Sequence, residues 1–146
     1  MGTLLDTTVF VEFERSLRSL PARNAMAEVA RRLGDQLGAD EEVGIAAITA
    51  SELLHGVHRA SEAHHGPRGA FVEATLAAFP TLPFDLLVAR VHARLWASLA
   101  SAGADIGAHD RLIAATALAA GWRVATSNLR HFDCVPGLDV VTVRLS

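Results

Sequence analysis

The sequence predicts an α/β fold: a three-layer sandwich with a central, mainly parallel sheet flanked by helices. Three observations predict it. Short, almost wholly apolar segments (TLL at 3–5, VGIAAIT at 43–49, WRVATS at 122–127) alternate with longer stretches whose apolar residues recur at helical spacing. Strands with no polar alternation are buried on both faces, as in a parallel sheet covered by helices. The chain has 146 residues, 51% of them hydrophobic and 20% charged, which suits a single domain over 1–146 with a substantial core and argues against disorder.

The elements follow in order. Residues 3–5 read as a buried strand, and 7–19 as a helix with Val9, Phe10, Phe13 and Leu17 on one face, ended by Pro21. A second helix covers about 23–37 and stops at Gly38, before the acidic loop at 39–42. The strand at 43–49 leads into Thr49-Ala-Ser-Glu52, which has the form of a capping box opening a helix to about Arg59. EAHHGPRG at 62–69 is rich in turn formers and reads as a polar loop. Helices at about 69–79 and 86–102 flank the strand-like TLPF, with Asp85 as a helix cap. SAGADIG at 101–107 is a loop, and a nearly all-apolar helix runs from His109 to Ala120, with Gly121 as its stop. Strands at 122–127 and 139–145 complete the chain.

Composition excludes several classes. All thirteen basic residues are arginine, and there is no lysine or tyrosine, so Schiff-base enzymes, a Walker-type phosphate loop and a tyrosine nucleophile are ruled out. A net charge of −3 argues against coating nucleic acid by bulk attraction. No run approaches the roughly 18 apolar residues of a membrane span. No secretory signal opens the chain, and the expected location is cytoplasmic. The single Cys134 fits a reducing compartment and reads as a packed structural thiol.

Ligands of parallel α/β sheets bind outside the carboxyl ends of the strands. Asp6 follows the first strand, Glu52 the second, Asp110 begins a late helix, and Asn128 follows WRVATS, so parallel strands would bring all four to one cleft. Each acid also has a plainer reading. Asp6 can cap its helix, Glu52 can complete the capping box, and Asp110 can favour the positive end of the helix dipole. Gathered carboxylates repel one another, and hard oxygen ligands favour Mg²⁺ or Mn²⁺, which suits in-line displacement at phosphorus. Asp105 and Asp133 lie near the predicted cleft as supporting candidates. Asp35, Asp40, Glu41 and Glu42 read as a solvated charge run, Glu28, Glu62 and Glu73 as exposed helix residues, and His55, His58, His64 and His65 as polar surface rather than a zinc site.

LLDTTVFVE, ITASELLHGV, GADIGAHDRLIAATALAAG and TSNLRHFDCVPGLDVV together resemble the PIN-domain ribonucleases, and most closely the VapC-type toxins of bacterial toxin–antitoxin modules. The likeness covers essentially the whole chain. It implies a PIN-like sandwich and a metal-dependent endoribonuclease that cleaves single-stranded regions of RNA using Mg²⁺ or Mn²⁺. It also implies site roles: Asp6, Glu52 and Asp110 as metal-holding and catalytic acids, with Asn128 where a fourth acid commonly stands. An amide binds metal through its oxygen without adding charge, so one metal held by three carboxylates is expected rather than a tight pair. Thr8 matches a hydroxyl position beside the first acid. Arg15, Arg18, Arg111 and Arg130 are candidate phosphate contacts, since guanidinium pairs with phosphate in a planar fork.

The resemblance further implies a VapB-like antitoxin partner and a homodimer. The helices bearing Phe10 and Phe13, and Leu53 and Leu54, are candidates for the antitoxin groove or for core. Residues 112–120 are candidates for core or dimer interface. Two alternatives remain at this level: a haloacid dehalogenase-like phosphatase with a nucleophilic Asp6, and a PIN-like module that binds RNA or protein without cutting.

Overall fold

A computed structural model describes residues 2–144. The chain runs β1 (Gly2–Leu5), α1 (Thr7–Leu17), α2 (Ala22–Leu37), β2 (Glu42–Ala46), α3 (Ala47–Arg59), α4 (Glu62–Ala78), β3 (Thr81–Leu82), α5 (Leu86–Ser101), α6 (Ala108–Ala120), β4 (Arg123–Thr126), a short 3₁₀ turn (Leu129–His131) and β5 (Val140–Thr142). All strand pairs are parallel, in the order β3-β2-β1-β4-β5. β1 is therefore central. The chain leaves it toward β2 and β3, then returns on its other side as β4 and β5. Strand order reverses there, and such a switch point opens a crevice at the strands' carboxyl ends.

Successive residues of a strand face opposite sides of the sheet, and this alternation builds two cores. Leu5, Ile45 and Ala125 face α1 to α4, joining Phe10, Phe13, Val29, Phe71 and Val72. Leu4, Ala46 and Val124 face α5 and α6, joining Leu95, Leu99, Ile113 and Ala117. Ile113, Ala114, Ala115 and Ala117 are fully buried within the single chain, so the middle of α6 is core rather than interface. Phe10, Phe13 and Leu53 are likewise buried, so the groove suggested for their helices is not formed by these residues.

Small residues on the sheet make room for one large one. A Cβ at Gly44 would come within 2.9 Å of Leu82 Cδ1 and of the Pro80 carbonyl, and 3.1 Å from the Trp122 ring. That carbonyl cannot give way, because it accepts the Ile45 N–H at 3.0 Å and holds the edge of the sheet. Gly44→Ala is expected to lower stability by about 1–3 kcal/mol, the usual cost of overpacking, read as a fall in the urea midpoint at constant m-value.

Several elements depart from sequence expectation. Residues 62–69 are the first turns of α4, not a loop. The His65 N–H bonds the Ser61 carbonyl at 2.8 Å and starts the helix, and Pro67 is tolerated within it at an exposed position. No capping box forms at Thr49, since β2 ends at Ala46 and α3 begins at Ala47, placing Thr49 inside the first turn and buried. β2 is correspondingly shorter than 43–49. Pro21 stands at the start of α2 rather than at the end of α1. Cys134 is exposed, not packed. Glu41 leaves the solvated acidic run to pair with Arg123 at 2.8 Å, and Glu28 is held by Arg31 and Arg32, whose hydrogen bonds lower its carboxyl to about 2. Asp85 does cap α5, accepting the Val88 N–H at 3.1 Å, and Gly121 ends α6 with φ +70°. The last strand covers Val140–Thr142, and Leu145, part of the predicted 139–145, lies outside the described residues.

Candidate active site

Asp6 stands one residue past the central strand, and its N–H continues the β1–β4 ladder by donating to the Ala125 carbonyl at 2.9 Å. It occupies the N-cap position of α1, yet its side chain makes no capping hydrogen bond. The carboxylate turns instead into the crevice. There Thr8 Oγ1 and Thr126 Oγ1 each donate to Oδ2 at 2.8 Å. Only 1% of Asp6 is exposed, and a carboxylate so buried needs such donors.

Glu52, half-buried on α3, is held from two sides. Thr7 Oγ1 lies 2.8 Å from Oε1 and 3.1 Å from Thr49 Oγ1. A hydroxyl has one proton, and a carboxylate only accepts, so Thr7 donates to Glu52 and accepts from Thr49. His109 Nδ1 meets the other oxygen, Oε2, at 3.2 Å. Buried Thr49 thus contributes to the site through Thr7 rather than as a cap.

Asp110 sits in the first turn of α6, where the helix dipole favours negative charge. His131 Nδ1 stands 3.7 Å from its Oδ2. Burial raises the Asp110 carboxyl above its ordinary 3.8, and the charge of Asp6 raises it further. His131 opposes the shift, Glu52 adds to it, and His109 opposes it weakly. Asp110 thus senses both other acids, although residues 6, 52 and 110 come from three separate elements.

Asn128 stands beyond β4. Its backbone N–H donates to Thr126 Oγ1 at 3.0 Å, its Oδ1 accepts the Arg130 N–H at 3.1 Å, and its Nδ2 lies 3.1 Å from His131 Nε2. The arginines divide. Arg130 is exposed beside Asn128. Arg111 is turned toward α5, lying 4.7 Å over the Trp96 ring and donating to the Ile106 carbonyl at 3.2 Å, so it is not presented with Asp110. Arg15 and Arg18 are exposed at the far end of α1, and Arg18 lines a separate cleft. Asp105 shares a cavity with Trp96 and Arg111 rather than with the acids, and Asp133 is exposed. His55, His58, His64 and His65 are all exposed.

Sequence reasoning missed four members of this site: Thr7, Thr126, His109 and His131. The available signal was adjacency, since His109 precedes Asp110 in HDR and His131 closes the turn NLRH.

Among the described residues, no three His, Cys, Asp or Glu side chains converge closely enough to hold a metal ion. The donor set nevertheless suits a hard divalent cation. All three acids offer oxygen, and the repulsion felt at Asp110 is what such an ion relieves. Side-chain adjustment at half-buried Glu52 and Asp110 is what sharing an ion with Asp6 requires.

A PIN-domain family model matches residues 3–138. Ribonuclease VapC of Rickettsia bellii is 31% identical over 146 residues, spanning 99% of this chain and 98% of that protein. The tRNA(fMet)-specific endonuclease VapC of Salmonella typhimurium is 31% identical over 96 residues, 66% of this chain and 71% of that one. The solved structure of DNA-bound VapBC from Salmonella typhimurium superposes with a TM-score of 0.78 at 26% identity, covering 99% of each chain. With its three acids drawn to the switch point of the sheet that these relatives share, the chain belongs to the PIN-domain family, among the VapC ribonucleases.

Proposed function

We propose that this protein is the toxin of a VapBC-type toxin–antitoxin module, a Mg²⁺- or Mn²⁺-dependent endoribonuclease that cuts single-stranded RNA in the cytoplasm. The observation that carries the proposal is the electrostatic gathering of Asp6, Glu52 and Asp110 at one sheet edge, in a chain whose full-length relatives are ribonucleases. Family membership leaves the haloacid dehalogenase reading without support. A non-cleaving PIN module remains the second reading, favoured only by Asn128.

Asp6 and Asp110 would hold the cation, which supplies charge neutralisation at the scissile phosphate and a water of lowered pKa. Glu52, fixed by Thr7 and His109, would orient an attacking water and take its proton. Attack of the water oxygen on phosphorus would break the bond to O3′, with the departing O3′ taking a proton from solvent as Glu52 releases its own, and would leave 5′-phosphate and 3′-hydroxyl ends. Arg130 is the arginine exposed beside Asn128 and the candidate to meet the RNA backbone. The whole described chain acts as a single domain.

A VapB-like antitoxin would neutralise the enzyme. A cleft of about 350 Å³ between α1, α2 and the start of α4, lined by Leu17, Leu20, Pro21, Pro67 and Phe71 with Arg68 at its edge, suits an amphipathic segment better than the buried Phe10 and Phe13. For self-association into a homodimer, Phe84, Leu86, Leu87 and Trp96 on and before α5 offer exposed apolar side chains, apart from the exposed Val11, Leu20 and Leu129 elsewhere.

Two measurements separate enzyme from binder. Purified chain should cleave RNA with Mg²⁺ or Mn²⁺ and stop in EDTA, with 5′-end sequencing giving the cut site and transfer RNA as a first substrate. Saturating cation should also raise Tm, because an ion bound only by the folded chain stabilises it by about 2.7 kcal/mol at a hundred times Kd. Asp6→Asn should lose both effects. Cleavage that survives EDTA, or an unaltered response in Asp6→Asn, would refute the reading.

A further inference from the structure

Asn128 is fixed by its backbone surroundings. Its side chain accepts the Arg130 N–H at 3.1 Å, which only the amide oxygen can do, so the amide nitrogen faces His131 Nε2 at 3.1 Å. An amide NH₂ donates and does not accept. His131 Nε2 must therefore be the acceptor, and a neutral imidazole with a bare Nε2 carries its proton on Nδ1. Nδ1 is buried, has no hydrogen-bond partner among the described residues, and points at Asp110 Oδ2 from 3.7 Å.

We propose that Asn128 and His131 are a paired positioning device for Asp110: the amide sets the imidazole tautomer, and the imidazole presents Nδ1–H to Oδ2 of the carboxylate. The opposite tautomer would set a lone pair against that oxygen and leave a buried nitrogen facing negative charge. At 3.7 Å the contact is electrostatic rather than a formed hydrogen bond, and contacts of this kind tighten when a site is loaded. It engages Oδ2 of the carboxylate. An aspartate at 128 would accept from Nε2–H and reverse the arrangement, so here the amide is the side chain the pairing needs. Asn128 acts through His131, with its own oxygen occupied by the backbone. Glu52 has a parallel partner in His109, but among the described residues no amide is seen to fix that ring.

The effect on rate rests on the ribonuclease reading. The tautomer does not, being a property of the folded chain, and the experiment reads both. In uniformly ¹⁵N-labelled full-length protein at pH 8, long-range ¹H–¹⁵N correlation should show His131 as the Nδ1–H tautomer, its signal assigned by loss in His131→Asn. In Asn128→Ala the population should move toward Nε2–H. Cleavage kinetics supply the second arm, because the amide nitrogen of Asn lies where Nδ1 does and that of Gln where Nε2 does. His131→Asn should keep cleavage within about threefold of wild type, whereas His131→Gln and His131→Ala should fall by about 10- to 100-fold, the usual effect of removing a ligand's partner. An Nε2–H tautomer in the wild type, or better rescue by Gln than by Asn, would overturn the proposal. A wild type with no cleavage at all would defeat the ribonuclease reading and leave the tautomer to decide this one.

Discussion

Asp110→Asn is expected to abolish RNA cleavage and, at the same time, to make the protein more stable at pH 7. If the trio holds a cation as proposed, loss of one carboxylate removes several kcal/mol of charge stabilisation, and about 4 kcal/mol corresponds to roughly a thousandfold in rate. The gain in stability has a separate origin. Burial and the charges of Asp6 and Glu52 raise the Asp110 carboxyl above its ordinary 3.8. For a carboxyl raised on folding, the folded state favours the proton. Its contribution is full below the unfolded value and is lost as pH rises through the folded one. At pH 7 the ionised Asp110 is therefore a net cost, and the neutral, nearly isosteric Asn removes it. Tm should rise by a few degrees, the scale on which about 1 kcal/mol registers in a domain of this size. The difference from wild type should shrink on acidification toward pH 3.8, where the wild-type carboxyl is itself protonated. Scanning calorimetry from pH 4 to 8 without divalent cation measures it. A lower Tm for the variant at pH 7 would show that the acids do not repel one another as described. Such a trade of stability for activity is common where function demands like charges in one place.

Phe10→Ala should have the largest effect on folding. Phe10 is fully buried on α1, 5.8 Å from the Phe79 ring in an edge contact and 6.4 Å from Phe13. Truncation forfeits both contacts and leaves a cavity among residues from four helices and the sheet, a change that costs about 3–5 kcal/mol. Against a total stability of about 5–15 kcal/mol, that is a large share. Chemical denaturation followed by circular dichroism should show the midpoint fall sharply, while Phe10→Leu, which preserves most of the volume, should lose less than about 1.5 kcal/mol. The consequence reaches the active site. Asp6, Thr7 and Thr8 stand at the start of this helix, and Phe10 anchors its first turns against the sheet, so cleavage should weaken even under conditions where the variant remains folded.

Much of this protein is legible in its sequence, and the reason is local. Apolar runs without alternation mark β1, β2 and β4, helical spacing marks α1, α2, α5 and α6, and glycine marks the end of α6. Asp6, Glu52 and Asp110 follow from the rule that ligands gather at the carboxyl ends of parallel strands, which converts three distant positions into one address. Local reading failed where a short-range motif competed with a longer-range arrangement. The form of a capping box at Thr49–Glu52 was real as a pattern, but β2 ended three residues earlier and drew both side chains toward Thr7. The turn formers of 62–69 were overridden because they open a helix whose later turns, through Phe71, Val72 and Thr75, are buried where α4 packs against α2 and α3.

By itself, then, the sequence determined the fold class, the family and the shared address of the three acids, because these depend on periodicity and on motifs of a few residues. Only the tertiary structure decided what holds the acids: Thr126 on Asp6 across 120 residues, and His109 on Glu52 across 57. It also decided that Arg111 turns to Trp96, and that Asn128 gives its oxygen to the chain and its nitrogen to His131. A hydrogen bond is fixed by distance and angle between particular atoms. Those are set only when strands far apart in sequence are brought into register, which no spacing along the chain records.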